Sequence, residues 1–592
     1  MSWNFFKAHI LDLRSLALFR ILLGSYILYD TYARLSLGTY DLAWYTSDKP
    51  NHSYLWPNDS PHQAPLHKIW FYRGTARFQI VLFSVTIILA LLFTVGWGLR
   101  NHYVGSWIKI LFFVAVVSYQ NRNMEVHDGS DSFSRHLLLW SCFLPLADVW
   151  SLDAWILNKS SRPTKQVTNA HQADRYAVSG LPCLAITLQI ALMYWGTVAH
   201  RTIDNYGYRW ESLRASQWLP PQLSAVHYAL AGSFASRDHA LNQFILQNKI
   251  VGQILTASAM GMESLAPLGC LLCYQQRHVF AFLLFTLHLG LLVTINLPNW
   301  QLVGMLIQVI WIPTHVWNNF LGLSSKENVK VDELTATYKK TDGDEQRASS
   351  SGDAVVKTAR QSSSVRITPH PIRTNIVSRL LQFFFFTYMI YNWCGCRHWI
   401  KKHDNGDIGE GLRLSQYWVM YATVGQISHT VQLTGIFNTT FLAGGKTGQK
   451  ENFIDLLQAL SKRQTSGAED RWFALSPRYM DEVPLNMSSR FPSPRWERAI
   501  AQWAMRSDIR RATKFSKALC RLINEDRRTY AVQVAAKGQR VPPLLHAIEV
   551  RYQHLMILPP GSKQRYAEKR VNNDHVIRVE CSIGNKMKKR NA

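Results

Sequence analysis

Cysteine is scarce in this chain, with eight residues among 592. So few cysteines exclude a disulfide scaffold for a chain of this length. Four of them lie within apolar stretches and are expected to act as small hydrophobic side chains: Cys142, Cys183, Cys270 and Cys273. The other four are able to form disulfides if their part of the chain faces an oxidising compartment: Cys394, Cys396, Cys520 and Cys581.

Acidic residues are also few, at 39 against 65 Lys and Arg, which gives a net charge of +26. The excess is concentrated in residues 397–592, where about 33 basic residues face about 17 acidic ones. This stretch has no apolar run of spanning length, and it mixes strand-like runs (430–444, 531–536 and 575–582) with one helical stretch at about 496–524. It therefore predicts a basic α+β extramembrane domain. Anionic lipid or an acidic protein is its candidate partner, although a solvated surface is the plainer interpretation. We expect no nucleic-acid partner.

A cleavable signal peptide is missing as well. The first apolar run contains Arg20 and has no small-residue cleavage site, so it predicts a retained membrane span. Crossing the hydrocarbon takes about 20 apolar residues. Nine stretches approach that length: 15–33, 78–97, 104–120, 135–150, 179–199, 250–273, 279–296, 299–317 and 376–393.

These stretches predict an all-α multi-pass transmembrane bundle of about nine helices with a small α+β C-terminal extramembrane domain. We divide the chain into a transmembrane domain (10–320), a disordered Ser-rich linker (322–373), an additional transmembrane helix (374–395) and the basic domain (397–592). A cytosolic N-terminus with an odd number of crossings puts that domain on the non-cytosolic side. In a eukaryote, the endoplasmic reticulum or the plasma membrane is the expected location.

Polar residues concentrate at span ends that alternate crossing brings to one face of the membrane. They come from the end of span 1, the connection 120–135 and the end of span 5. Ionisable groups at membrane depth are costly and usually face a protein interior or a wet cavity. Singly, such residues are more simply interpreted as buried ion pairs; together they indicate a ligand cavity. The candidate ligand-binding residues are Arg122, His127, Asp131, Arg135, Asp204 and His288. No metal-type spacing such as HxxxH or HxH accompanies them.

Several segments resemble the HTTM domain, the transmembrane family related to vitamin K-dependent γ-glutamyl carboxylase. They are SLALFRILLGSYILYD (15–30), QNRNMEVHDGSDSFSRHLLLWSCFLPLADVWSLD (120–153), MESLAPLGCLL (262–272) and FTLHLGLLVTIN (285–296). LRLSQYWVMYA (412–422) and PRWERAI (494–500) are similar to the region that follows the spans in HTTM proteins. The resemblance covers residues 10–320 well and 375–525 loosely.

The resemblance implies a helical bundle and, in the carboxylase, base-driven carboxylation of glutamate coupled to oxidation of reduced vitamin K. The family's catalytic lysine falls at Arg201 in YWGTVAHRT (194–202), after His200. Arginine stays protonated and does not serve as a tunable base, whereas the histidine pKa lies near neutrality. The family's histidine after the third span falls near Ser130, with His127 close by.

Three functions follow as hypotheses. The first is a carboxylase-like membrane protein with a polar cavity for a lipid- or quinone-like ligand. A second is a working carboxylase with His200 as its base, assisted by Arg201, and with reduced vitamin K or another quinone as cofactor. A third is a scaffold that acts through its basic tail. Because Arg201 stands at the position of the family's catalytic lysine, the sequence does not decide whether the protein is an enzyme.

Overall fold

The computed structural model describes most of the membrane region and parts of the tail. The residues described are 10–36, 74–123, 126–160, 176–232, 236–237, 239–321, 370–372, 374–400, 414, 427–443, 446–461, 491, 496, 500, 509–536, 544–562, 566–570 and 575–581. The predicted linker (322–373) lies outside this set, except for residues 370–372. The segments 412–422 and 494–500 also lie mostly outside it.

The first half of the chain is helical. Its elements are β1 (Ile10–Asp12), α1 (Leu13–Ser36), α2 (Ala76–Val95), α3 (His102–Arg122), α4 (Gly129–Ser141), α5 (Leu152–Ser160), β2 (Ala177–Ser179) and α6 (Leu181–Arg201). The next are the short helices α7 (Ile203–Tyr206), α8 (Trp210–Leu213), α9 (Ala225–Ala231) and α10 (Ala240–Gln247). Then come α11 (Lys249–Leu272), α12 (Arg277–Thr294), α13 (Pro298–Leu306), a 3₁₀ helix (Ile307–Trp311) and α14 (Thr314–Phe320).

Five helical segments are long and apolar enough to cross a membrane: Ala76–Val95, Tyr103–Gln120, Leu181–Tyr206, Lys249–Leu272 and Arg277–Thr294. They confirm five of the predicted spans. Of the other four, α4 and α13 are too short, while α1 carries three buried arginines and a buried aspartate along its length. The last predicted span contains α15 (Ile376–Cys396), which includes Arg379, Gln382 and Asn392.

Helix α6 is the central helix of the bundle. Of its span 72% is buried inside the protein, whereas only 28% of α2 and 28% of α12 is buried. Because lipid is as apolar as leucine, exposed side chains on α2 and α12 suit contact with lipid tails. Polar side chains on α6 therefore lie in the protein interior.

Local sequence signals explain several helix ends. Asn101 caps α3 by accepting from the backbone N–H groups of Tyr103 and Val104 at 3.0 and 3.1 Å. Asp128 and Asp131 form a capping box at the start of α4. Gly96 ends α2 with φ +72°, and a Cβ there would also overlap the Arg20 guanidinium.

A small sheet marks one end of the bundle, which we call the near end because α1 begins there. In this sheet β1 pairs antiparallel with β2, and β2 pairs parallel with β3 (His370–Pro371). The opposite end, where α1 and α6 end, is called the far end.

The tail contains a five-stranded antiparallel sheet and a long helix. Its elements are β4 (Ile427–Ala443), β5 (Lys446–Asp455), α16 (Leu456–Ser461), α17 (Ile509–Ala535), β6 (Ala547–Ile557), β7 (Tyr566–Arg570) and β8 (His575–Glu580). Strand order is β5-β4-β6-β7, with β8 also on β6. Sequence patterning predicted β4 and β8, but it wrongly favoured a strand at 531–536, which belongs mostly to α17. Helix α17 continues into this run, and Val532 is 74% exposed, so the half-buried surface that favours a strand is missing at Val532.

Two features tie the tail together and to the bundle. A disulfide joins Cys520 of α17 to Cys581 after β8, whereas Cys394 and Cys396, at the end of α15, do not pair with either of them. Tyr566 in β7 donates to the carbonyl of Ala231 at 2.9 Å, so the sheet lies against the short helices at the far end.

Candidate functional site

At the far end, Arg34 joins two carboxylates from different helices. Its guanidinium donates to Asp30 on its own helix at 2.9 Å and to Asp131 at the start of α4 at 2.7 Å. Tyr119 of α3 donates to Asp30 at 3.3 Å. All four residues are buried. One guanidinium thus holds two carboxylates, and these bonds link α1, α3 and α4.

Arg135 extends this network. It donates to Gln120 Oε1 and His127 Nε2 at 2.8 Å each, and to Ser132 Oγ at 3.1 Å. Gln120 in turn donates to Asp131 at 3.2 Å. Because a guanidinium only donates, Nε2 of His127 is the unprotonated ring nitrogen. These side chains, which we call the far-end network, are Asp30, Arg34, Tyr119, Gln120, His127, Asp131, Ser132 and Arg135.

Arg201, the last residue of α6, forms a buried ion pair with Glu263 near the middle of α11. The Trp218 ring covers its guanidinium, with 3.8 Å between the guanidinium carbon and the ring centroid. The backbone carbonyl of Arg201 accepts from Ser216 Oγ at 2.9 Å. The guanidinium of Arg201 is thus held by Glu263 and Trp218, and its backbone carbonyl is held by Ser216. These contacts suit an anchoring role and not a proton-accepting one.

His200 and Asp204 lie one helical turn apart at the same end. Nδ1 of His200 lies 3.5 Å from the Asp204 carboxylate, which also pairs with Arg397 after α15. A carboxylate beside an imidazole orients the ring. Arg397 is buried, and its Nε and Nη2 have no acceptor among the described residues.

Deeper in the bundle, four side chains form a continuous hydrogen-bonded chain, which we call the His288 chain. Gln308 Nε2 lies 2.9 Å from the Tyr194 hydroxyl. That hydroxyl lies 2.7 Å from His288 Nε2, and His288 Nδ1 lies 2.7 Å from Gln301 Oε1. An amide oxygen only accepts, so Nδ1 carries the His288 proton and Nε2 accepts from Tyr194.

The two ends of the His288 chain have unused hydrogen-bonding capacity. Gln301 Nε2, a donor, and Gln308 Oε1, an acceptor, have no partner within the described part of the chain, and both residues are buried. Leaving a buried polar group unpaired costs about 1–3 kcal/mol. A ligand with one acceptor and one donor matches these two atoms.

The His288 chain and the Arg201 ion pair share one face of α6. Tyr194 and Arg201 are seven residues apart, which is two helical turns and about 10 Å. Glu263 lies within electrostatic range of Tyr194. One side of α6 therefore carries polar groups from the middle of the bundle to its far end.

The structure distributes the predicted site residues over three groups. His127, Asp131 and Arg135 belong to the far-end network. His200, Arg201 and Asp204 meet Glu263 and Arg397 at the end of α6, and His288 belongs to its own chain. Arg122 is buried at the last residue of α3. Within the described ranges, no group of three or more His, Cys, Asp or Glu side chains is placed to hold a metal ion.

Sequence reasoning missed four residues of these groups: Tyr194, Gln301, Gln308 and Arg397. The two glutamines carried a usable signal, because a buried amide inside an apolar helix needs a partner. Tyr194 also had one, since it lies two turns before Arg201 on α6. Comparison with known proteins adds no relative: no protein-family model, no curated protein and no solved structure matches this chain.

Proposed function

We propose that this chain is a nine-crossing membrane protein of the HTTM, carboxylase-like type that binds a lipid- or quinone-like ligand beside α6. The contacts between helix ends support an odd number of crossings. Asp131 at the start of α4 meets Arg34 at the end of α1, and Arg397 after α15 meets Asp204 after α6. At the near end, β3 before α15 pairs with β2 before α6.

The observation that carries the ligand proposal is the unused donor and acceptor at the ends of the His288 chain. Gln301 Nε2 suits a ligand carbonyl, and Gln308 Oε1 suits a ligand hydroxyl. A quinone ring supplies carbonyl oxygens, its reduced form supplies hydroxyls, and its apolar tail suits the surrounding lipid. In the His288 chain, the neutral side chains of His288 and Tyr194 would hold such a ring without adding charge at membrane depth.

Arg201, on the same face of α6 as Tyr194, and its partner Glu263 on α11 close the far end of this proposed site, and their charges neutralise each other. The far-end network is held by its own ion pairs, which favours a supporting role. Direct ligand contact by Arg122, His127, Asp131 or Arg135 stays a prediction.

Ligand extraction tests the proposal. Purified protein is analysed by mass spectrometry for retained quinones and lipids, and quinone binding is followed by tryptophan fluorescence. Gln301→Met keeps the side-chain size and removes both the unused Nε2 donor and the Oε1 that accepts from His288, so we expect about tenfold weaker binding. Thr286→Val, on α12 with its hydroxyl bonded to its own helix, is the matched control. Equal binding by both variants, or none by the wild type, would contradict the proposal.

A second candidate function is vitamin K-type carboxylation with His200 as base. The observation in its favour is the Asp204 carboxylate beside the His200 ring, since such a partner orients a general base. Incorporation of labelled CO₂ into Glu-containing peptides, dependent on reduced vitamin K, is the assay. Failure of the wild type beside an active control enzyme removes this candidate.

For the tail we propose a non-cytosolic location, in the endoplasmic reticulum or the plasma membrane if the chain is eukaryotic. The Cys520–Cys581 disulfide supports this side, because cytosolic thiols are kept reduced. A basic row on α17, which includes the exposed Arg510, Lys517 and Arg521, supplies the surface for an acidic partner or anionic lipid.

A further inference from the structure

We propose that Arg14 and Arg277, at the near end of the bundle, bind a phosphate-class anion. The site lies at the end opposite to the Arg201 ion pair, and it does not depend on the ligand proposed for the His288 chain. Neither residue was among the candidates that the sequence suggested.

Both arginines lie against the short strand β1. Arg277, the first residue of α12, donates from Nη1 to the carbonyl of Ile10 at 2.8 Å. Arg14 donates from Nη2 to the Asp12 carboxylate at 2.8 Å and to the carbonyl of Thr314 at 3.3 Å. Strand β1, the start of α12 and the start of α14 thus place both guanidinium groups beside β1 at the near end.

The charges at this place do not cancel. Arg14 and Arg277 carry two positive charges, and Asp12 supplies one negative charge that Arg14 uses. The Asp12 carboxylate accepts from the Arg14 backbone at 2.8 Å, from its Nε at 3.0 Å and from its Nη2 at 2.8 Å. Arg277 has no carboxylate bonded to it among the described residues. Among the described residues, the two arginines therefore carry one positive charge more than Asp12 compensates.

Hydrogen-bond donors remain unused as well. Arg277 is 0% exposed, and its Nε and Nη2 have no acceptor in the described ranges. Arg14 is 1% exposed, and its Nη1 also has no acceptor among the described residues. The rings of Tyr274 and Tyr176 cover the guanidinium faces at 4.4 and 4.2 Å. Ring faces stabilise the charge, but the N–H groups point along the guanidinium plane and still need oxygen atoms.

Two hydroxyls and three helix starts complete the site. The Tyr274 hydroxyl and Thr314 Oγ1 are buried with no partner in the part of the chain that is described. Helices α1, α6 and α12 all begin at this end and direct the positive ends of their dipoles toward it. Arginine forks match the oxygens of a phosphate group, which comes either from a phospholipid head group or from free phosphate.

Binding to the full-length protein, purified and stripped of lipid, tests this inference in two arms. One arm adds short-chain phosphatidic acid and the other adds inorganic phosphate, and each is read as a shift of the unfolding midpoint with concentration. We expect at least one to bind the wild type. Binding of the lipid alone identifies a head-group site, and binding of both identifies a site for phosphate itself.

Two variants decide whether the binding occurs at this site. We expect Arg277→Gln to weaken binding about tenfold or more, and Tyr274→Phe to weaken it less. Tyr274→Phe removes only a hydroxyl that has no protein partner, so a purely structural role predicts no change in binding, and it decides the matter if Arg277→Gln does not fold. Arg100→Gln, at an exposed arginine of the same end, is the control. No binding to the wild type, or equal binding by all variants, overturns the inference.

Discussion

The hydroxyl of Tyr194 lies 2.7 Å from Nε2 of His288, inside the bundle and between two helices that are 94 residues apart at this contact. Both side chains are fully or almost fully buried. This contact joins the central helix α6 to α12, and through the glutamines it reaches the helices that follow. Three predictions concern this contact and the groups around it, and a fourth concerns the tail.

Removing the Tyr194 hydroxyl should destabilise the bundle. Tyr194→Phe deprives His288 of a donor and Gln308 of an acceptor, and we expect a loss of about 1–3 kcal/mol in unfolding free energy. Thermal unfolding in detergent measures the change. Tyr32→Phe, at a tyrosine that is 61% exposed on α1, should be nearly neutral, and equal effects of the two variants would refute the role of the hydrogen bond.

Gly304 sets the position of His288. A Cβ at residue 304 would overlap the His288 ring, so Gly304→Ala should cost about 1–3 kcal/mol through overpacking. It should also weaken binding of any ligand that uses the His288 chain. Gly290→Ala is the matched control, because a Cβ at Gly290 has no atom within 4 Å. The prediction fails if the two alanine variants unfold at the same temperature.

The ion pair of Arg201 and Glu263 should depend strongly on both partners. Glu263→Gln leaves a buried guanidinium uncompensated, and we expect a cost of about 3–5 kcal/mol. The double variant Arg201→Met with Glu263→Leu should be markedly more stable than Glu263→Gln, because it removes both charges together. A double variant no better than the single one would show that the two charges are not coupled.

Thiol labelling reports on the tail. Cys520 and Cys581 should resist alkylation until a reducing agent is added, because they are joined to each other, whereas Cys394 and Cys396 should label in the unfolded protein without reduction. Mass spectrometry of tail peptides counts the added groups. Alkylation of Cys520 in unreduced protein would contradict both the disulfide and the proposed location on the oxidising side.

Much of the architecture was predictable from local patterns. Five of the nine predicted spans coincide with helices of spanning length and hydropathy, and β4 and β8 were visible as strand-like runs. The bounds of helix α4 were harder to predict from the sequence. Its first turn is polar, because it contains the capping box of Asp128 and Asp131, and the helix already ends at Ser141. The 3₁₀ segment Ile307–Trp311 after α13 likewise has no signature in hydropathy.

The candidate site was predictable only in part. Span parity correctly brought Asp131 to the end of α1, where it meets Arg34. Counting the crossings does not specify how deep a side chain lies in the membrane or how its helix is rotated. The sequence-based prediction therefore grouped His288 with the far-end residues, whereas the structure joins His288 to Tyr194 inside the bundle. It also missed Arg397, whose partner Asp204 is 193 residues away.

The amino-acid sequence by itself determined that this protein has stretches long and apolar enough to cross a membrane, because hydropathy is summed over consecutive residues. Tertiary structure alone decided which buried polar groups meet. Glu263 reaches Arg201 across 62 residues, and Arg277 reaches Ile10 across 267. Such pairings depend on the tilt, depth and rotation of each packed helix, which no local pattern specifies.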